Sequence, residues 1–369
     1  MNDESCLANF SNGRYQNDCF CNTGVHILAN CPAFRNYIMN LENNKIKNKP
    51  ATRILKEIFS EMKTNAAHSF ITDTFELKKE LLHLDDGQQH DVFQFLEDLI
   101  SKLVTEEASG NEMPLVAYKD GNTKQDEVYD QHVRGSPILK LFTYLTEEKF
   151  HCEKENCENP NFSIFDAFQV LSVPLCKFKE EAGVRVADLE ACISESFKNP
   201  YDLKNIKKCP NSKCQADITG DSITSIIRTP PIALIRLTRS EFYGGEKNDA
   251  PIETKEHISL GNDFFRIKVI AIHDGPTQDV GHYYSYIRQI DDWILANDEE
   301  VRKTTIYERE GTLKDVCAMV YLKQNASPIN KVSERERPSL INRGDDIEPR
   351  TSTSSEQDMV KKGNNNLVN

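Results

Sequence analysis

The stretch Tyr15–Arg35, YQNDCFCNTGVHILANCPAFR, sets Cys19 and Cys21 two positions apart at the head of an apolar helical pattern. Such a pair reads as metal ligands, as packing residues, or as a nucleophile beside a packing residue. Asn17-Asp18 precede Cys19, and Phe20, Gly24, Ile27, Leu28 and Cys31 recur at helical spacing, so the pattern predicts a helix that begins at Cys19 with those residues on one face. A cysteine at a helix start meets unpaired backbone N–H groups and the positive end of the helix dipole, which favour a thiolate. A nucleophile also needs a base, and the base needs an orienting group.

Outward from this stretch the first third of the chain reads as helical. DVFQFLEDLISKLV (91–104) carries Val92, Phe95, Leu96, Leu99, Ile100 and Leu103 on one face. From Phe165 the texture turns to short β-branched and aromatic runs bounded by Gly, Pro, Asn and Asp: FDAFQVLSVPL, SITSIIRTPPIALIRLTR, FFRIKVIAIHD, GHYYSYIRQIDDWILAND and CAMVYLKQ. Helices first and strands afterwards predict an α+β fold. Residues 325–369 hold no aromatic residue, no cysteine and few apolar side chains, which predicts a disordered tail.

Bulk properties narrow the function. A net charge of −13 argues against nucleic-acid binding, which needs clustered Lys and Arg. MNDESCLANF has neither a basic start nor an apolar run, so no signal peptide is expected, and no apolar stretch approaches the ~18 residues of a membrane helix. Eleven cysteines without a secretory signal predict reduced thiols or metal ligands in the cytoplasm or nucleus.

Four of these cysteines pair by spacing. CEKENC supplies Cys152 and Cys157, and CPNSKC supplies Cys209 and Cys214, each with four intervening residues. Two such knuckles can present four thiolates to one tetrahedral Zn²⁺, with a β insertion between them. His151 is a substitute ligand of lower weight. Far downstream, GHYYSY places His282 at the start of an aromatic strand, and WILAND ends in Asn297 and Asp298. In a Cys-His-Asn set, imidazole takes the thiol proton and the Asn carbonyl accepts from the other ring N–H. On composition alone His26 and His273 compete with His282 for the base.

Taken together, QNDCFCNT, PAFR (32–35), QHDVFQFL, the cysteine knuckles, ALIRLTRS, AIHDGPTQDVGHYYSYIR and WILANDEEV resemble the ubiquitin-specific proteases, in family order from about Phe10 to Lys323. The resemblance implies a papain-like cysteine protease with thumb, palm and zinc-bearing fingers. It implies a short extension at 1–9, a catalytic domain at 10–324 with the fingers at about 145–235, and the tail at 325–369. It makes Cys19 the nucleophile, His282 the base, Asn297 the third member and Asp298 a further polar support, with Cys21 replacing a family Met. It implies Zn²⁺ on Cys152, Cys157, Cys209 and Cys214. It further implies a monomeric catalytic domain whose partners are ubiquitin and ubiquitylated proteins. Gln89, Asp91, His273 and Tyr284 would line the channel for the ubiquitin tail, Asp91 facing a tail arginine or simply starting its helix.

The chain departs from the family pattern ahead of the nucleophile. Arg14 stands where the family has an oxyanion-stabilising Asn, and Gln16 where it has Gly; Asn17, Asn12 and Arg14 are the oxyanion candidates. Two readings follow: a thiol deubiquitinase that hydrolyses the isopeptide bond at ubiquitin's C-terminal glycine, or a family member that binds ubiquitin and cleaves poorly.

Overall fold

The structure is a computed structural model that describes residues 6–10, 17–64, 70–71, 74–81, 84, 88–108, 125–133, 135–158, 160–181, 183–197, 207–209, 213–218, 223–239, 247–277, 280–290, 292–305 and 312–324. All of these lie in one unit, Met1–Ser327, and the segment 325–369 read as a disordered tail lies outside the described residues. The first part of the chain contains α1 (Cys19–Ala29), α2 (Pro32–Asn40), α3 (Pro50–Thr64), α4 (Phe75–Lys79), α5 (Val92–Glu107), α6 (Gln125–Val133) and α7 (Pro137–Phe142). Two short strands, β1 (Asn9–Phe10) and β2 (Phe70–Ile71), pair in parallel among them.

Strands then dominate. They run β3 (Tyr144–His151), β4 (Asn161–Phe168), β5 (Val170–Pro174), β6 (Phe178–Glu181) and β7 (Val184–Ala187), then α8 (Leu189–Ser196) intervenes. After it come β8 (Lys207–Lys208), β9 (Asp217–Ile218), β10 (Ile223–Arg228), β11 (Ile232–Thr238), β12 (Ile252–Glu253), β13 (His257–Leu260) and β14 (Asp263–Asp274). The last are β15 (His282–Gln289), β16 (Asp292–Asn297), β17 (Glu300–Thr304), β18 (Thr312–Leu313) and β19 (Val316–Lys323). The strand-rich part therefore begins at Tyr144, earlier than the Phe165 that texture predicts. The reason lies in β3, whose second half, Glu147, Glu148 and Lys149, is partly or fully exposed and so reads as polar.

An eight-stranded sheet, ordered β17-β16-β15-β14-β19-β11-β5 with β13 on β14, forms the wall on which the helices sit. Period-2 alternation divides its side chains between two cores. Leu234, Val269, Ala271, Ala318 and Val320 face the helical side, while Ile235, Ile270, Ile272, Met319 and Tyr321 face the side covered by α8. Within the segment 145–235, β3, β4 and β10 form a separate sheet and β8 pairs with β9, whereas β5 belongs to the eight-stranded sheet. Among the described residues no helix is long and apolar enough to cross a membrane.

α1 corrects one expectation. The sequence pattern predicts one apolar face, but every residue from Cys19 to Ala29 is buried. The helix is wedged between β15 and β16 on one side and α2 and α5 on the other, so its polar positions Asn22, Thr23 and His26 are enclosed as well. Gly24 permits the crossing with α5: a Cβ there would lie 2.4 Å from Phe95 Cδ1. Gly24→Ala is therefore expected to cost about 1–3 kcal/mol of stability as overpacking, read as a lower urea midpoint with an unchanged m-value. α5 behaves as predicted, with Val92, Phe95, Leu96, Leu99, Ile100 and Leu103 all buried.

Candidate active site

Three elements meet at the start of α1. Cys19 is its first residue and is 4% exposed. β15 begins at His282, and β16 ends at Asn297, beyond which Asp298 (φ 45°) turns the chain into β17. Aspartate tolerates this left-handed conformation better than most residues, and the turn lets its backbone carbonyl accept from Phe10 N at 2.9 Å. His282 Nε2 lies 2.6 Å from Asn297 Oδ1. A carbonyl oxygen can only accept, so Nε2 carries the proton and Nδ1 is left for Cys19, with which the ring is hydrogen-bonded.

The electrostatics follow from these contacts. The hydrogen bond with Cys19 pushes the His282 pKa up, burial opposes it, and Asn297, the Cys19 charge and Asp298 add to the rise, for a value of about 9. Asp298 Oδ2 stands 3.7 Å from His282 Nε2, close enough to favour an imidazolium without replacing Asn297. Asp298 is held in turn by Asn22 Nδ2, which donates to its Oδ1 at 2.7 Å. Asn22 Oδ1 accepts from Thr74 Oγ1 at 2.8 Å, so one buried side chain of α1 fixes both the β16–β17 turn and the start of α4. The competing histidines are elsewhere. His26 is fully buried, packs edge-on against Phe10 at 4.8 Å, and burial drops its pKa to about 3. His273 stacks on Tyr283 at 4.3 Å, and burial together with Lys247 lowers its pKa to about 4.

The four residues expected to line a channel are placed as follows. Gln89 Oε1 accepts from Gly281 N at 2.9 Å, and its Nε2 lies 3.3 Å from His273 Nε2, which accepts in the neutral ring. Gln89 thus joins the approach to α5 to the residue preceding His282. Gly281 has no room for a side chain, since a Cβ would lie 2.6 Å from both Asp274 O and His273 Nε2. Asp91 caps α5 through Phe93 N at 2.6 Å and pairs with Arg236 at 2.9 Å, so both its oxygens are engaged within the chain. A cavity of about 40 Å³ bordered by Asp91, Arg236, Lys247, His273 and Tyr283 adjoins this pair. Tyr284 stacks beside His282 with ring centroids 6.3 Å apart.

A profile of the ubiquitin carboxyl-terminal hydrolase family matches residues 10–326. The chain belongs to this family. Its curated relatives include mouse ubiquitin carboxyl-terminal hydrolase 17-like protein C, 22% identical over 296 residues, 77% of this chain and 50% of the relative. Fission yeast ubiquitin carboxyl-terminal hydrolase 11 is 24% identical over 198 residues, 51% of this chain and 53% of that protein. The chain spans about half the length of the curated relatives it matches. Among solved structures, the SAGA DUB module of Ubp8, Sgf11, Sus1 and Sgf73 bound to monoubiquitin superposes with a TM-score of 0.65 at 18% identity, covering 88% of this chain and 71% of that one. The same module bound to ubiquitin aldehyde gives a TM-score of 0.63 at 18% identity, covering 88% of this chain and 71% of that one. The fold is that of the ubiquitin-specific proteases.

For this member of the hydrolase family, the four knuckle cysteines come together as their spacing predicts. The sulfurs of Cys152, Cys157, Cys209 and Cys214 all lie within 4.8 Å of one another. Cys152–Cys214 and Cys157–Cys209 are each 3.7 Å apart, close to the ~3.8 Å edge of a tetrahedron with ~2.3 Å Zn–S bonds. Asn156 (φ 67°) and Gln215 (φ 45°) take left-handed conformations beside Cys157 and Cys214, as tight knuckles require. The cluster could hold a metal ion. His151 is not part of it: its Nδ1 is 2.8 Å from Asn161 Oδ1.

Of the oxyanion candidates, Asn17 directly precedes Asp18 at the head of α1, and Asn12 and Arg14 lie outside the described residues. The sequence reading missed the side chains behind the site. Asn22 falls within the QNDCFCNT match and Asp18 reads only as a helix-start residue, and Thr74 and Lys78 are not singled out. No local pattern marks Lys78: it neighbours Leu77 and lies off the Leu77, Leu81 and Leu84 spacing, yet it is fully buried.

Proposed function

We propose that this chain is a cysteine deubiquitinase that hydrolyses the isopeptide bond at the C-terminal glycine of ubiquitin, with Cys19 as nucleophile, His282 as base and then acid, and Asn297 as orienter. The observation that carries the reading is the array of Cys19, His282 and Asn297 at the head of a buried helix. Cys19 sulfur attacks the glycine carbonyl carbon, and the tetrahedral oxyanion forms beside the first-turn N–H groups of α1. The C–N bond then breaks, His282 gives its proton to the departing lysine amine, and a thioester remains. Water, deprotonated by His282, attacks the thioester and releases the carboxylate and the thiol. Asp298 supports the imidazolium at each charged stage. Gln89, His273 and Tyr284 border the approach to Cys19, and Asp91 would meet a tail arginine only in exchange for Arg236.

Family membership and the bound ubiquitin of the structural relatives support ubiquitin and ubiquitylated proteins as partners. The sulfur spacing supports Zn²⁺ on the four cysteines, as a structural ion that ties the two knuckles. The test uses ubiquitin with a C-terminal thiol-reactive electrophile and intact mass as readout. Wild type and Cys21→Ala should form a one-to-one adduct, and Cys19→Ala should form none. Tight binding of ubiquitin without any adduct would favour a ubiquitin-binding module, and loss of adduct only in Cys21→Ala would sink the assignment of Cys19.

A further inference from the structure

Asp18 occupies the N-cap position of α1, yet its carboxylate makes no bond to the first turn. The same residue type does cap elsewhere in this chain: Asp91 accepts from Phe93 N on α5, and Asp188 from Ala191 N on α8. Those two aspartates are extended (ψ 134° and 109°), as a capping side chain requires, whereas Asp18 is helical (φ −90°, ψ −1°) and its carboxylate meets Lys78 of α4 instead. Lys78 Nζ lies 2.5 Å from Asp18 Oδ1, with both side chains 1% exposed. The second carboxylate oxygen, Asp18 Oδ2, is buried and has no hydrogen-bond partner among the described residues. A buried carboxylate oxygen left unsatisfied is unfavourable, so the charge of Asp18 at the head of α1 rests on its contact with Lys78.

We infer that Lys78 is a positioning residue for the nucleophile: it holds the Asp18 carboxylate and offsets its charge beside Cys19. Its effect on turnover rests on the deubiquitinase reading; its effect on the thiol does not. Without the lysine, Asp18 would place an uncompensated negative charge next to the nucleophile. That opposes attack by sulfur, and Lys78 removes it. The titratable groups around Cys19 are His282 and Tyr283 of β15, Asp298 beyond β16, Lys78 of α4, and Asp18 and Cys21 beside it.

Two measurements test this. In steady-state cleavage of a ubiquitin C-terminal amide, Lys78→Met should lose ~10-fold in kcat, the size of a nearby-charge effect, with KM little changed. Adding Asp18→Ala, which removes the uncompensated charge, should restore most of it. Alkylation of Cys19 by iodoacetamide across pH, followed by peptide mass, needs no ubiquitin. Its curve should move to higher pH by ~1 unit in Lys78→Met, the size of a nearby-charge effect, and return in the double variant. Should Lys78→Met not fold, Lys78→Gln, which keeps a donor but no charge, is expected to show the same loss and the same rescue. A single variant with wild-type kcat and an unmoved alkylation curve overturns the inference, as does a double variant that stays as slow as the single one. A curve that moves and returns in a protein inert toward ubiquitin supports Lys78 and defeats the deubiquitinase reading instead.

Discussion

His282→Gln is expected to lower kcat/KM for ubiquitin cleavage by ~10⁴-fold or more, the scale seen when a member of a nucleophile–base set is removed. Near neutral pH its thermal unfolding midpoint should fall by the contribution the charged ring makes there, while the fold is kept, because the His282 side chain is 41% exposed and buries little apolar surface. Glutamine can still meet Asn297 but can neither take nor return a proton. Cys19 labelling by the ubiquitin electrophile should slow in parallel, since that step also needs the thiol proton removed. Wild-type turnover in His282→Gln would refute its role, and His273 would then be the next residue to test.

The same histidine sets a pH window. Its folded pKa of about 9 lies above the ordinary value of 6.5, so its contribution to stability is fully present below about 6.5 and lost as pH rises through about 9. In the proposed cycle, loss of the imidazolium proton there would also remove the acid for the leaving amine. An alkaline limb in kcat/KM near pH 9 is therefore expected. Asn297→Ala removes one of the contacts that raise the pKa, so its limb should move to lower pH, with a loss in rate of ~10²-fold. Asn297→Asp places a negative charge against the ring and should hold the limb up.

What could be read in the sequence depended on how the chemistry is encoded. Cys19, His282 and Asn297 stand at element ends, where residue type and local pattern carry information, and the structure brings the three together. The paired knuckles were legible because their spacing is itself a geometric statement. The supports were not, because they form only on tertiary closure. Asn22 and Asp298 are 276 residues apart, Gln89 and Gly281 are 192 apart, and Lys78 and Asp18 are 60 apart. No local period marks such pairs. Asp91 shows the same limit: its helix-start role was readable from position, whereas its partner Arg236 comes from a strand 145 residues later. α1 failed as an amphipathic prediction for a related reason, since its polar residues serve buried contacts that only the assembled sheet supplies.

Purified protein is expected to carry about one zinc per chain, and Cys157→Ser should lose it. Four thiolates in a closed tetrahedral set bind zinc tightly, and binding requires each thiol to be deprotonated, so retention should fall as pH falls. An ion that binds only the folded knuckles stabilises them by about 4 kcal/mol when present at ~1,000 times its dissociation constant. The aromatic pair Phe150–Phe162, stacked at 5.2 Å beneath the cysteines, is too small a core to replace that contribution. Loss of the metal should therefore raise amide exchange in β3, β4, β8 and β9 while leaving α1 and β15 protected, because those strands lie outside the eight-stranded sheet that carries His282 and Asn297. Small-molecule alkylation of Cys19 should persist in Cys157→Ser even as KM for a ubiquitin substrate rises. Unchanged zinc content and exchange in that variant would mean that the four sulfurs are gathered by packing alone.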